Sequence, residues 1–125
     1  MTAEQPTRVE LTLPEPPSSN RLWRNGRGRV YTDSAAKDFK ASVYACCLKA
    51  GITRVRFPEG VPVKLTLTWY RQRKAGDLSN RIKIVEDALN GLLWADDKQI
   101  SELHVTRVDG HRPGRLHLLA ESTHA

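Results

Sequence analysis

Residues 61–93 read VPVKLTLTWYRQRKAGDLSNRIKIVEDALNGLL, and the spacing of their apolar side chains changes once along the way. Val63, Leu65, Leu67 and Trp69 recur at every second position, the period of a strand with one face buried. From Leu78 the period lengthens. Leu78, Ile82, Val85, Leu89, Leu92 and Leu93 gather on one side of a helix, while Ser79, Asn80, Lys83, Glu86, Asp87 and Asn90 gather on the other, with Arg81 alone breaking the division. A strand that hands over to an amphipathic helix predicts a fold in which helices cover a sheet.

The flanking sequence repeats this alternation. Residues 8–13, RVELTL, put Val9, Leu11 and Leu13 on one strand face. The stretch 14–33 is rich in Pro, Ser, Asn and Gly, has no helical period, and is expected to be a long functional loop. Asp33 or Ser34 caps a helix to about Ala50, with Ala36, Phe39, Val43, Cys46 or Cys47, and Ala50 as its apolar stripe, and Gly51 ends it. Residues 99–108 and 115–120 read as two strands. Asp-Gly at 109–110 and Pro-Gly at 113–114 lie between them and predict an antiparallel hairpin. The order is β-α-β-α-β-β, which predicts an α/β (α+β) fold: a mixed four-stranded sheet with two helices packed on it, in one domain over 1–125, frayed at 1–6 and 122–125.

Composition narrows the partners. The chain has 20 Lys plus Arg against 14 Asp plus Glu, a net charge of +6, which suits a polyanion whose phosphates release counterions on binding. Arg21, Arg24, Arg27 and Arg29 share the loop with no acid between Asn20 and Thr32, and Arg71, Arg73 and Lys74 crowd the end of the second strand. No apolar stretch approaches the roughly 20 residues of a membrane helix, so no membrane partner and a cytoplasmic location are expected. Adjacent Cys46 and Cys47 on a helix read as reduced packing residues. His104, His111, His117 and His124 form no zinc-ligand spacing.

Within this basic chain, Asp77, Glu86, Asp87, Asp96 and Asp97 fall in one short stretch. Glu86 and Asn90 read as a solvated helix face. Asp77 and Asp97 lie outside the helix body. As structural residues they would be an N-cap, worth typically about 1 kcal/mol, and a turn. As chemical groups they are hard oxygen donors from separate elements, suited to Mg²⁺, an ion that activates water and stabilises charge on a phosphodiester. Lys83 either holds a phosphate or pairs with Asp87 one turn on, worth about 0.2–0.5 kcal/mol.

Asp77, Leu78, Ser79, Asn80, then Lys83, Asp87, Ala88, Leu89, and finally Asp96, Asp97 and Gln99 resemble the D-L-D-N…K…D-A-L…D-D-x-Q signature of RusA-type Holliday-junction resolvases. Residues 16–23, PPSSNRLW, resemble that family's P-P-S-x-N-x-x-[WY] segment. The resemblance implies catalytic residues Asp77, Asp97 and Lys83, with metal ligands Asp77, Asp97 and Asp96. It also implies Mg²⁺ with Mn²⁺ able to substitute, no small-molecule cofactor, and a homodimer that nicks four-way DNA junctions in symmetric pairs. In that picture Arg21, Arg24, Arg27, Arg29, Arg71, Arg73, Lys74 and Arg81 bind DNA, joined by Arg107, Arg112 and Arg115, through phosphates and not bases. One departure stands out: Ser79 occupies the position of the second acid in D-L-D-N. Three readings stay open. The ion is held by fewer acids and more water, or Asp87 or Asp96 compensates, or the protein binds branched DNA without cutting it.

Overall fold

The computed structural model describes residues 7–17, 34–71 and 78–122. Its elements are strand β1 (Arg8–Pro14), helix α1 (Ser34–Lys49), strand β2 (Val63–Arg71), helix α2 (Leu78–Leu89), a single 3₁₀ turn (Asp97–Gln99), strand β3 (Ile100–Asp109) and strand β4 (Arg115–Ser122). The sheet order is β1-β4-β2-β3; β4 runs antiparallel to both β1 and β2, and β2 runs parallel to β3. The mixed four-stranded sheet with two helices is the architecture expected from the alternating periods.

One face of the sheet is dry. Val9, Leu11 and Leu13, then Leu116, Leu118 and Ala120, then Val63, Leu65, Leu67 and Trp69 are all buried, and they share a single core with Phe39, Val43 and Cys47 of α1 and Ile84, Val85, Ala88 and Leu89 of α2. The other parity, including Glu10, Thr12, Thr66, Thr68 and His117, is exposed or half-buried. Both β-α-β connections move the same way across the sheet, from β1 to β2 and from β2 to β3, so crossovers of one hand bring both helices to one face. Among the described residues no helix is long and apolar enough to cross a membrane.

The expected β3–β4 hairpin does not form. Strand β2 lies between the two, and residues 110–114 arch over its end, where Gly110 N–H and His111 N–H donate to the Arg71 carbonyl at 2.9 and 3.3 Å. The reason is burial. β4 has a fully apolar inner face and belongs in the interior of the sheet, whereas β3 is mostly exposed and serves as an edge. Helix α2 also stops four residues short of Leu93: Gly91, at φ +84°, takes the left-handed conformation that ends helices, and Leu92 and Leu93 follow in a turn. Ala50, expected in the α1 stripe, is exposed, and β4 extends to Ser122.

Hydrogen exchange tests the strand order. Amides in the middles of β2 and β4, bonded on both sides, are expected to exchange slowest, with alternate β3 amides exchanging much faster. Proton contacts across β2 and β3, such as Leu67 to Val105, should replace any between β3 and β4.

Candidate active site

After α2 the chain turns back. Gly91 N–H donates to the Trp94 carbonyl at 2.8 Å, and Trp94 itself is fully buried. Arg56 and Phe57 N–H groups both donate to the Leu93 carbonyl at 3.0 Å, which fastens the turn to the segment preceding β2. The residues that follow bring Asp97 within reach of α2, close enough for its charge to act on Glu86.

The acid pair is held by Gln99. Asp96 caps the 3₁₀ turn, its Oδ1 accepting from Lys98 N–H at 3.0 Å, while Gln99 Oε1 accepts from Asp96 N–H at 2.9 Å to complete a capping box. The other end of the Gln99 amide donates to the carbonyls of Phe57, Pro58 and Val61 at 3.1, 2.7 and 2.9 Å. Gln99 is buried, so the amide ties the acidic turn to the loop before β2 through bonds that water does not replace. The Lys98 N–H holds the Asp96 carboxyl below the usual carboxylate range.

Glu86 differs from its helix neighbours. Lys83 and Asp87 are exposed, but Glu86 is half-buried, and burial, then the negative charges of Asp97 and Asp87, push its carboxyl up, against the lowering influence of Lys83. A solvated helix face does not describe it. Periodicity gives only its direction around the helix and not the charge of Asp97, eleven positions away in the chain, that also acts on it. Among the described residues Lys83 forms no ion pair, so the alternative reading of a Lys83–Asp87 pair is not realised.

A second cluster fixes the chain where it leaves β1. Trp69 Nε1 donates to Glu15 Oε2 at 2.8 Å. The Arg81 guanidinium lies over the Trp69 ring at 4.7 Å, approaches Glu15 at 4.0 Å and donates to the Pro16 carbonyl. Arg71 is buried, stacks on Trp69 at 5.6 Å and pairs with Asp109 at 2.8 Å, with Arg107 reaching the same carboxylate at 3.5 Å. Gly114 packs so closely on the Glu15 side chain that a Cβ there would displace it. Arg71 and Arg81 thus help to fix the chain where it leaves β1. The sequence signal was Arg81 itself, a charge on an otherwise apolar helix flank.

Asp77, Arg21, Arg24, Arg27, Arg29, Arg73 and Lys74 lie outside the described residues, as do the side chains of Ser79 and Asn80. Among the described residues no group of three or more His, Cys, Asp or Glu side chains is placed to hold a metal ion. Asp96 and Asp97 are hard oxygen donors of the kind Mg²⁺ and Mn²⁺ take, so the donor chemistry is that of such ions, while the described residues alone do not make up a metal-holding set.

Comparison with known proteins gives this arrangement a class. The description Endodeoxyribonuclease RusA matches residues 14–118, a class of DNA-cutting hydrolases. The chain belongs to the RusA family. It is 32% identical over 110 residues to the crossover junction endodeoxyribonuclease RusA of Escherichia coli K12 and to that of Enterobacteria phage 82, and 31% identical to that of Shigella sonnei. Each alignment covers 86% of this chain and 89% of the relative.

Replacing Gln99 by Leu leaves buried carbonyls and the Asp96 N–H without their partners, and is expected to lower the unfolding free energy by about 1–3 kcal/mol in urea titrations followed by tryptophan fluorescence.

Proposed function

We propose that this protein is a structure-selective endonuclease that resolves four-way DNA junctions by paired symmetric nicks, acting as a cytoplasmic homodimer in recombination and repair with Mg²⁺, or Mn²⁺ in its place. What supports the reading is the family match over residues 14–118 of a basic chain, with Asp97 near enough to α2 for its charge to act on Glu86, and Lys83 on the same helix joining no ion pair among the described residues. A divalent ion held there would activate water and offset charge on the phosphodiester. Asp97 and Asp77 are the metal-binding carboxylates in this reading and Asp96, fixed by its cap, orients its neighbour. Lys83, free of a protein carboxylate among the described residues, neutralises a scissile phosphate. The arginine loop that starts at the Glu15–Trp69–Arg81 cluster supplies phosphate contacts along the arms.

The dimer does more than double the site. Leu78, the residue after Asp77 in the sequence, opens α2, whereas Glu86, on which the charge of Asp97 acts, is eight residues and about 12 Å further along the helix axis. That separation favours a shared site. If two copies of α2 pack antiparallel about a two-fold axis, the first turn of each lies against the third turn of the other, and Asp77 of one subunit completes the site of Asp97 in its partner.

Mixed dimers test both points. Asp77→Asn and Asp97→Asn homodimers are each expected to be inactive on a synthetic junction with Mg²⁺ or Mn²⁺ while still binding it. A dimer of one subunit of each kind contains one intact shared site and one doubly damaged one, so it should nick a single strand. Absence of any nick from the mixed dimer, with wild type active, overturns the shared site. A wild-type protein that binds the junction but cuts it with neither ion is a binding protein that has lost a ligand at Ser79.

Junction affinity is expected to fall by about 10³-fold or more between roughly 50 and 200 mM salt, measured by fluorescence anisotropy, if six or more phosphates are contacted.

A further inference from the structure

On the sheet face opposite the helices, no outward residue of the four strands is buried. The strand register arranges this open face in rows that cross β1, β4, β2 and β3 in turn. Where β2 leaves the sheet towards α2 the row reads Pro14, Arg115, Tyr70 and Val108, and the next reads Thr12, His117, Thr68 and Thr106. The outward carboxylates Glu10, Glu102 and Glu121 all belong to rows further away, and Glu10 reaches forward only as far as His117 Nε2, at 2.7 Å. Acids close to the first row are engaged on the helix side instead: Glu15 accepts from Trp69 Nε1, and Asp109 pairs with the buried Arg71. One end of the open face is thus left to neutral and basic groups.

Three planar groups meet at that end. The Arg115 guanidinium lies over the Tyr70 ring at 4.2 Å, and the His111 ring meets the same ring edge-on, with centroids 5.0 Å apart and planes at 70°. Tyr70 and Arg115 are cross-strand partners, and such a pair supports a sheet without any further role. His111 is not a strand residue. It comes from the arch 110–114, whose Gly110 and His111 N–H groups donate to the Arg71 carbonyl, so the backbone sets its ring against Tyr70. All three are half-buried, and neither Arg115 nor the exposed Arg112 joins an ion pair among the described residues. Aromatic rings and guanidinium planes are surfaces on which unpaired bases stack, and a cation without a carboxylate partner suits a phosphate. A duplex arm, its bases already stacked, offers such a cluster phosphates alone.

We infer that the cluster of Tyr70, Arg115 and His111 holds one unpaired nucleotide of a DNA strand, its base against the planar groups and its phosphate at Arg112 and Arg115. The inference rests on the proposed function for the source of that nucleotide, a four-way junction opened at its crossover.

The test uses the full-length protein in EDTA, with labelled oligothymidylate and a blunt duplex compared by fluorescence anisotropy. Tyr70→Ala is expected to weaken oligothymidylate binding at least about fivefold and duplex binding by less than about twofold, since only the single strand has a base free to stack. Tyr70→Phe, which keeps the ring, should bind both as wild type does. Arg115→Gln should lower the salt slope on the single strand by about 0.7, the share of one phosphate. Lys64→Ala removes the same charge from the far end of the face and should leave that slope unchanged. Equal losses on strand and duplex in Tyr70→Ala, or equal slopes in Arg115→Gln and Lys64→Ala, overturn the inference. If Tyr70→Ala does not fold, photocrosslinking of wild type to an oligonucleotide carrying iododeoxyuridine decides: adducts on Tyr70 or His111 support the inference, and adducts confined to other residues overturn it. A protein that nicks junctions yet gives the overturning results keeps the nuclease reading, and one that neither binds nor cuts any of these DNAs overturns both.

Discussion

One buried amide fixes the turn that carries Asp96 and Asp97. Gln99 donates to three carbonyls of the loop before β2 and accepts from the backbone of Asp96, so the acidic turn cannot shift without uncovering several polar groups at once. Its two ends belong to different parts of the molecule: the loop feeds β2, in the interior of the sheet, and the turn feeds β3, at its edge. The rigidity of the core is thereby passed to Asp97 through hydrogen bonds, in a place where apolar packing alone would not determine the direction of a carboxylate.

The parts of this fold that were legible in the sequence are those governed by local period. Alternation identified β1, β2 and β4 because each buries one face only, and the 3.6-residue period identified both helices. Strand neighbours were not legible in the same way. The Asp-Gly and Pro-Gly pairs near 109–114 show correctly that the chain turns, but a turn does not say whether another strand will occupy the space between its arms. Here the arms are separated by β2, which needs an apolar neighbour on one side and tolerates a polar edge on the other. The end of α2 was misplaced for a related reason: Leu92 and Leu93 continue the apolar period beyond Gly91, and they lie in a turn that half-buries the first and fully buries the second.

The site was partly legible. Motif spacing singled out Asp96, Asp97 and Lys83, and the structure sets all three on the returning turn or on the helix it follows. The half-burial of Glu86 was not legible, because a helical wheel assigns it to the wet side and contains nothing beyond the helix itself. Arg71 and Arg81 show what charge counting leaves out. Sequence gives them as cations in a basic cluster, and the structure adds that both guanidinium groups lie on Trp69, a ring able to cover their planar faces while their edges keep polar partners.

These placements divide the charged residues into two kinds. The cations near Trp69 have carboxylates or carbonyls within reach, at Glu15, Pro16 and Asp109, so their charge is spent inside the protein on holding the start of the loop. The acids at the far end of α2 are held differently. Asp96 accepts from the Lys98 N–H and is tied through Gln99 to the loop before β2, so its carboxyl stays below the usual carboxylate range. Glu86 is pushed the other way by burial and by the charges of Asp97 and Asp87, against the pull of Lys83. Two carboxylates within one short stretch of sequence are thus shifted in opposite directions, because a backbone N–H aimed at one stabilises its charged form and partial burial of the other penalises it.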